Sequence, residues 1–329
     1  MNLSELTHVW SEAPQLSDAL SKFPDAVTRL TADPDDPVGS AEPAQAILAA
    51  SAIRYNDDVF DRLPNLRILV RTGIGIDNVD LDAATRHRVV FCNTPDGPTE
   101  STAEHTVALM LAVAKQVKPG LEQLAAGDFA PRAVPMGTEL VGKTLGLVGL
   151  GRIGGRVAHI CGRGLDMRVL AFDPYITAER AAEIGVELAD LDTVIGSADI
   201  LSLHAPSTPE TRHLMNAERF KQMKDEAILL NLARGPLVDQ DALLEALDGG
   251  QIRGAGLDVF DPEPPPVSSR LRTHPKIVAT PHSASTTVEG RACIENMAVD
   301  AILDFFNDRQ PKDIRNPAVL EYVQFATAD

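Results

Sequence analysis

The sequence predicts an α/β protein with two doubly wound parallel sheets, one domain being inserted into the other. Short apolar runs alternate with helical patterns along the chain, which is typical of parallel sheets covered by helices. The length of 329 residues is that of two domains. Two long amphipathic patterns, Ser101 to about Val117 and Thr286 to about Asn307, flank the middle of the chain and indicate two crossings between the domains.

Apolar runs bounded by polar or turn residues are the expected strands. In the first third of the chain they are Thr7–Trp10, Ala26–Leu30, Ala46–Leu48, Arg67–Val70 and Val89–Cys92. From the middle onwards they are Leu145–Val148, Met167–Phe172, Ile200–His204, Ala227–Leu232, Gly254–Val259 and Ile277–Thr280. The helical pattern that begins at Ser101 is expected to stop at Pro119 and Gly120, because proline interrupts a helix.

A glycine-rich run, Gly149-Leu-Gly-Arg-Ile-Gly154, follows one expected strand and opens a helical pattern. Its glycines allow a tight turn, close approach of the backbone to a pyrophosphate, and close packing of helix on strand. Asp173 ends the next expected strand, ~20 residues later, where an acid accepts hydrogen bonds from a ribose. The run therefore predicts a dinucleotide site. The Asp173 carboxylate would repel the 2′-phosphate of NADP, which favours NAD.

Both domains are accordingly expected to be Rossmann-like or flavodoxin-like. The predicted NAD-binding domain covers residues 118–287, and residues 1–117 and 288–329 together form the predicted substrate domain. A cleft between the two domains is the expected active site.

Three expected strands of the second half each end near an ionisable residue: Arg234, Glu263 and His282. Carboxyl ends of parallel strands meet at one edge of a sheet, so these side chains are expected to converge there. A planar guanidinium holds a carboxylate through paired hydrogen bonds, and a histidine exchanges protons near neutral pH. A carboxylate beside the histidine would favour its charged form and fix its ring. This set predicts reduction of a 2-oxo acid and oxidation of a 2-hydroxy acid.

These motifs, together with His204-Ala-Pro and Asp258-Val-Phe-Asp-Pro-Glu263-Pro, resemble the D-isomer-specific 2-hydroxyacid dehydrogenases. The resemblance implies a homodimer, with Arg234 binding substrate, Glu263 supporting the histidine, and His282 as acid/base. It implies that Asp258 meets the nicotinamide carboxamide and that the 204–206 segment lines the adenine side. The implied NAD-binding residues are Gly149, Gly151, Arg152, Ile153, Gly154, Asp173, Pro174, His204, Ala205, Pro206, Thr211, Leu232, Ala233, Arg234, Asp258 and His282.

The first third of the chain is similar to the phosphoglycerate dehydrogenase branch of this family. Its Gly73–Ile76 loop is expected to offer backbone amides to the substrate carboxylate, so Ile74, Gly75 and Ile76 join Arg234 and His282 as substrate residues. Ala50 stands where that branch usually has an arginine that binds phosphate. 3-Phosphoglycerate therefore competes with glyoxylate and hydroxypyruvate as the substrate. The roles of Arg54, Arg71 and the 97–105 segment stay open.

The amino-acid composition limits the classes of binding partner that the chain is expected to have. The formal net charge of −17 opposes binding to nucleic acid or to anionic membranes. No apolar run has the ~20 residues that a membrane span needs, and a small-molecule substrate is expected instead. Scattered cysteines predict a reducing, cytoplasmic setting and no metal site, with Cys161 and Cys293 in helical cores.

A second class of protein shares these motifs. NADH-sensing corepressors of the same fold keep the Arg, Glu and His residues but act mainly as binding modules. Tight NADH binding without turnover of any 2-oxo acid would favour that alternative.

Overall fold

The computed structural model describes residues 2–15, 17–130 and 133–326, in two compact units. The first unit comprises Met1–Pro98 and Thr286–Asp329, and the second is Thr99–Ser285. The second unit begins before residue 118, the boundary expected from the sequence. Helix α4 (Thr99–Ala114) belongs to it, because Leu109 and Val113 of α4 lie in the same apolar cluster as the strands of its sheet.

The first unit contains a five-stranded parallel sheet in the order β2-β1-β3-β4-β5. Its strands are β1 (His8–Ser11), β2 (Thr28–Thr31), β3 (Ala46–Ala49), β4 (Ile68–Arg71) and β5 (Val90–Asn93). Its helices are α1 (Pro37–Ser40), α2 (Asp57–Asp61), α3 (Leu81–Arg86) and the long α11 (Val288–Phe306). Helix α11 buries Phe305 and Phe306 in one apolar cluster with Val9 and Ile68 of the sheet.

The second unit contains a seven-stranded parallel sheet in the order β12-β11-β10-β9-β6-β7-β8. Its strands are β6 (Thr144–Val148), β7 (Arg168–Phe172), β8 (Glu187–Leu188), β9 (Ile200–Leu203), β10 (Ile228–Asn231), β11 (Gly254–Leu257) and β12 (Ile277–Ala279). Besides α4, its helices are α5 (Val117–Ala125), α6 (Arg152–Gly164), α7 (Ala178–Glu183), α8 (Leu191–Ser197), α9 (Ala217–Gln222) and α10 (Gln240–Asp248).

Two doubly wound parallel sheets confirm the predicted fold class, and every predicted apolar run overlaps a strand. The two-residue edge strand β8 was not predicted. The predicted helix stop at Pro119 and Gly120 was wrong. The first helix ends at Ala114, and Pro119 lies in the first turn of α5, where a helix does not need the backbone N–H that proline lacks.

The cysteines are only partly where the sequence placed them. Cys161 is buried, and burial raises the pKa of its thiol to about 12. Cys293 is exposed, so its predicted place in a helical core was wrong. It lies beside Ile294 on α11, and it is Ile294 whose side chain is buried. Within the described ranges, no helix has both the length and the apolarity to cross a membrane.

Candidate active site

The glycine-rich turn joins β6 to α6. Gly149 has φ +98°, a conformation that strongly favours glycine, and its amide donates to the Phe172 carbonyl at the end of β7. A Cβ on Gly154 would lie 2.3 Å from the Gly149 carbonyl oxygen, so only glycine allows this close packing. Apart from Gly151 and its two chain neighbours, no described residue has an atom within 4 Å of the position of a Cβ on Gly151. The turn is thus open at Gly151, where a pyrophosphate could approach the first amides of α6, including those of Arg152 and Ile153.

Asp173, just beyond β7, faces this turn. Its two carboxylate oxygens accept hydrogen bonds from the Leu150 amide (2.8 Å) and the Tyr175 amide (2.9 Å). These bonds fix the carboxylate beside the glycine turn, with the exposed Pro174 next to it. The geometry fits the predicted contact with an adenosine ribose.

Asp173 is expected to enforce the preference for NADH over NADPH. The fixed carboxylate should repel a 2′-phosphate, giving about a tenfold to hundredfold higher kcat/KM with NADH, equivalent to ~1–3 kcal/mol. Initial rates with both cofactors test this for the parent and for Asp173→Asn, which should lose most of the preference. Asp192→Asn, an exposed change on α8, should keep it. Equal kcat/KM values for the parent would contradict the prediction.

The segment 204–211 follows β9 and is predicted to line the adenine side. Burial lowers the pKa of His204 to about 4, and its Nε2 shares a 2.9 Å hydrogen bond with the Ser202 hydroxyl. The Thr211 hydroxyl donates to the Pro206 carbonyl at 2.7 Å, which closes the segment on itself. The ring of His204 is therefore neutral at physiological pH. Contacts of Ala205, Pro206 and Thr211 with cofactor stay predictions.

The lowered pKa of His204 should make stability fall in acid. An unfolded histidine gains its proton near pH 6.5, whereas folded His204 resists protonation until about pH 4. Between these values the unfolded chain binds more protons, so this contribution is lost as the pH falls through 6.5 towards 4. Between pH 7 and pH 5 the loss should be roughly 2 kcal/mol.

Urea unfolding at both pH values checks this expectation. His204→Gln should show a smaller difference in unfolding free energy between pH 7 and pH 5 than the parent. His159→Gln, which changes an exposed histidine of α6, should match the parent. A His204→Gln variant with the parent's full pH dependence would be the contrary result.

Arg234 lies in a turn directly after β10. Asn231, almost fully buried, organises this turn: its side-chain amide donates to the Arg234 carbonyl (2.9 Å) and its oxygen accepts the Ala233 amide (3.2 Å). One terminal nitrogen of the Arg234 guanidinium donates to the Ala233 carbonyl at 2.7 Å. The segment Leu232–Arg234 is therefore held at the carboxyl edge of the sheet, where the sequence predicted a carboxylate-binding arginine.

Glu263 and His282 form a direct pair. Glu263 Oε2 lies 2.7 Å from His282 Nδ1, and Glu263 Oε1 accepts the Phe260 amide at 2.8 Å. Burial alone would raise the pKa of Glu263, but the hydrogen bond and charge of His282, the Phe260 amide and the Arg234 charge lower it below its usual range. Glu263 therefore stays ionised near neutral pH, and its contact with Nδ1 leaves Nε2 of His282 to exchange a proton.

His282 has φ +52°, an uncommon conformation for a residue with a side chain. Asp258, which is fully buried, holds it there. The Asp258 carbonyl accepts the His282 amide (2.8 Å), and its carboxylate accepts the amides of Ser283 and Ala284 (both 2.9 Å). The structure shows the hydrogen bonds of Asp258 to the 282–284 turn, whereas a contact of Asp258 with nicotinamide stays a prediction.

The predicted substrate residues Ile74, Gly75 and Ile76 lie in the first unit, after β4. The Asn93 side-chain amide donates to the Ile74 carbonyl at 2.7 Å and holds this loop. These residues and the Arg234, Glu263 and His282 set thus occupy different units. Residues 99–105 of the 97–105 segment are helical, because α4 begins at Thr99.

Sequence reasoning missed Glu12, which follows β1. Its carboxylate accepts the amides of Ala50 (2.7 Å), Ala52 (2.7 Å) and Ile53 (2.9 Å), and the hydroxyl of Tyr55 (3.0 Å). A nest of amides in the 50–53 loop is thus already filled by an anion of the chain itself. Nothing in the local sequence around Glu12 indicates this long-range contact.

The family model for the NAD-binding domain of D-isomer-specific 2-hydroxyacid dehydrogenases matches residues 107–284. The chain therefore belongs to this family, and the predicted family and NAD cofactor are confirmed. Among curated relatives, D-3-phosphoglycerate dehydrogenase of Bacillus subtilis (strain 168) is 40% identical over 285 residues, 87% of this chain and 53% of that protein. The chain spans about half the length of such relatives.

Solved structures agree with the fold. The TT0316 protein of Thermus thermophilus has a TM-score of 0.84 and 36% identity, covering 94% of this chain and 100% of its own. An NAD-dependent formate dehydrogenase of Staphylococcus aureus in complex with NAD has a TM-score of 0.83 and 27% identity, covering 93% and 98%.

Proposed function

We propose that the protein is an NAD-dependent enzyme that interconverts a D-2-hydroxy acid and its 2-oxo acid. The observation that carries the proposal is the 2.7 Å pair of His282 and Glu263 at the sheet edge that also bears Arg234 and the glycine turn. A proton donor, a fixed carboxylate partner and a cation are the groups that this reaction needs.

The residues have distinct tasks in reduction. Arg234 binds the substrate carboxylate through its planar guanidinium and orients the 2-oxo group. His282 donates a proton from Nε2 to the carbonyl oxygen, while Glu263 stabilises the imidazolium from the Nδ1 side. The glycine turn would hold NADH, with Asp173 receiving the hydroxyls of its ribose, and the bound cofactor would supply the hydride. In oxidation, neutral His282 accepts the hydroxyl proton at Nε2.

Two substrates compete. Similarity to the curated phosphoglycerate dehydrogenases favours 3-phosphoglycerate. The 50–54 loop favours a smaller acid such as glyoxylate or hydroxypyruvate, because Ala50 provides no cation and Glu12 already occupies the amides of this loop. A second negative charge beside Glu12 would be repelled unless Arg54, which is exposed, offsets it.

Initial rates with NADH and glyoxylate, hydroxypyruvate, phosphohydroxypyruvate and pyruvate test both levels of the proposal. Turnover of any of these acids supports the dehydrogenase, and the highest kcat/KM identifies the substrate class. A preference for phosphohydroxypyruvate would reject the argument from Glu12. Tight NADH binding without turnover of any acid would reject the enzyme and favour the sensor.

The homodimer also belongs to this proposal, supported by an exposed apolar stripe on α5. Val117, Leu121 and Leu124 share one helical face and are 43%, 62% and 60% exposed. Phe129 and Met136, farther along the chain, are 87% and 88% exposed. A stripe of exposed apolar side chains such as that on α5 is typical of protein–protein interfaces. A monomer by sedimentation equilibrium, or a dimer unaffected by Leu121→Glu with Leu124→Glu, would contradict this assignment.

A cytoplasmic location is proposed as well. It rests on the three cysteines, all of which are free thiols. Reducing compartments keep thiols unpaired. Localisation of a tagged chain by fractionation tests it.

A further inference from the structure

A line of polar contacts runs from α4 to the turn that carries His282. His105 of α4 has its Nε2 atom 3.0 Å from the Thr280 hydroxyl, which lies just after β12. The same hydroxyl donates to Asp258 Oδ1 at 2.6 Å. His105 Nε2 is 4.0 Å from that carboxylate oxygen, so the hydroxyl lies between histidine and acid.

The chemistry of the three groups fixes the direction of the hydrogen bonds. The Asp258 carboxylate can only accept hydrogen bonds, so the single hydroxyl hydrogen of Thr280 is donated to it. The Thr280 oxygen must therefore accept from His105, whose Nε2 carries a hydrogen. His105 thus prevents the Thr280 hydroxyl from turning away, and it orders the shortest of the three hydrogen bonds described for the carboxylate.

Asp258 is also the group that holds the turn after His282. Its Oδ1 accepts the Ser283 amide and its Oδ2 accepts the Ala284 amide, while the Asp258 and Thr280 carbonyls both accept the His282 amide (2.8 and 3.1 Å). These contacts keep His282 at φ +52°. A change in the orientation of the carboxylate therefore reaches the histidine that meets Glu263.

We propose that His105 and Thr280 are positioning residues that act through Asp258 to hold the acid/base histidine in its working conformation. The inference rests on the proposed dehydrogenase function. It assigns neither residue a contact with substrate. Its consequence is that loss of either hydrogen bond should lower kcat more than it weakens binding of NADH or raises KM for the oxo acid.

The test compares His105→Leu and Thr280→Val with the conservative changes His105→Gln and Thr280→Ser. The first two remove the donor or the hydroxyl and should lower kcat by roughly 10- to 100-fold, because small displacements of a catalytic group carry such losses. Glutamine keeps an N–H donor and serine keeps the hydroxyl, so both should recover most of the rate. Thr106→Val, which removes a neighbouring buried hydroxyl that donates to the Thr102 carbonyl within α4, should leave kcat unchanged.

Energetic coupling between His105 and Thr280, measured with the double variant, tests the proposal more sharply than the single variants. Adding His105→Leu to Thr280→Val should cost no further activity, because both act on one hydrogen-bonded line. Additive losses, or equal kcat values for His105→Leu and the parent, would overturn the proposal. If His105→Leu does not fold, Thr280→Val and Thr280→Ser carry the comparison alone.

Amide exchange separates this proposal from the proposed function. Exchange of the Ser283 and Ala284 amides, followed by NMR, should become at least about tenfold faster in His105→Leu and in Thr280→Val, since their acceptor is loosened. This readout needs no turnover. A parent without activity but with the faster exchange in the variants would reject the dehydrogenase and keep the positioning role. Unchanged exchange would reject the positioning role.

Discussion

Replacing His282 with alanine is expected to lower kcat in both directions by about 10²–10⁴-fold, the contribution typical of a general acid/base. The 2.7 Å contact of Nδ1 with Glu263 orients the ring so that only Nε2 is available for proton exchange. Alanine removes that proton path and leaves the glycine turn unchanged, so the loss of NADH affinity should be much smaller than the loss of kcat. Single-turnover rates, together with NADH titration by fluorescence, measure the two effects separately.

Glu263→Gln tests the electrostatic part of the same assignment. For reduction, His282 must enter protonated, so kcat/KM for the oxo acid should fall as the pH rises. For oxidation it must enter neutral, so the profile should rise over the same interval. The lowered pKa of Glu263 means that its charge is present throughout this range. Without that charge the imidazolium is less stable, and both limbs should move to lower pH. Limbs that stay in place would show that Glu263 is not the electrostatic partner of His282.

Arg234→Lys is expected to give the second largest effect, a rise in KM for the oxo acid of about tenfold or more. Lysine keeps the positive charge but loses the planar pair of donors that matches a carboxylate. It also loses the contact of the guanidinium with the Ala233 carbonyl, which fixes the side chain in the turn. If Arg234→Lys weakens only substrate binding, kcat at saturating oxo acid should fall less than kcat/KM.

Arg168→Lys is the matched control for this change. Arg168 lies at the start of β7, and its guanidinium pairs with the Glu187 carboxylate on the surface at 2.7 Å. Its kinetics should match those of the parent. Parent-like kinetics for Arg234→Lys as well would mean that Arg234 is structural and that the substrate anion is bound elsewhere.

Strands buried on both faces were the easiest elements to predict. Runs such as Ile200–Leu203 and Ile228–Asn231 are apolar almost throughout, because helices cover both faces of a parallel sheet. The strand Glu187–Leu188 has two residues at the sheet edge and is not fully buried, so it carries no apolar run. The break between α4 and α5 depends on Gln116, which has φ +55°, and a glutamine gives no sign of that conformation.

The site was predictable where a residue follows a strand directly. Arg234 and His282 stand just beyond β10 and β12, and parallel strands bring their carboxyl ends to one edge. His105 was not identified, since it lies within an amphipathic helix, where a lone histidine is unremarkable. A signal was present in the polar residues around it, because Ser101, Thr102 and Thr106 of α4 are buried while His105 itself is half-buried. Glu12 was not identified either, because its partners in the 50–55 segment lie far from it in the sequence and come close only when the sheet folds.

The insertion of residues 99–285 into the first unit sets an order for folding on the ribosome. Residues 2–98 emerge before the second unit, but one apolar face of their sheet is covered by α11, which emerges only after the second unit. The contiguous second unit has all its strands before then. Side chains of the five-stranded sheet that pack against α11, such as Val9 and Ile68, therefore stay uncovered by this helix while the whole second unit is synthesised. We expect nascent chains that stall before Val288 to aggregate and to be bound by chaperones.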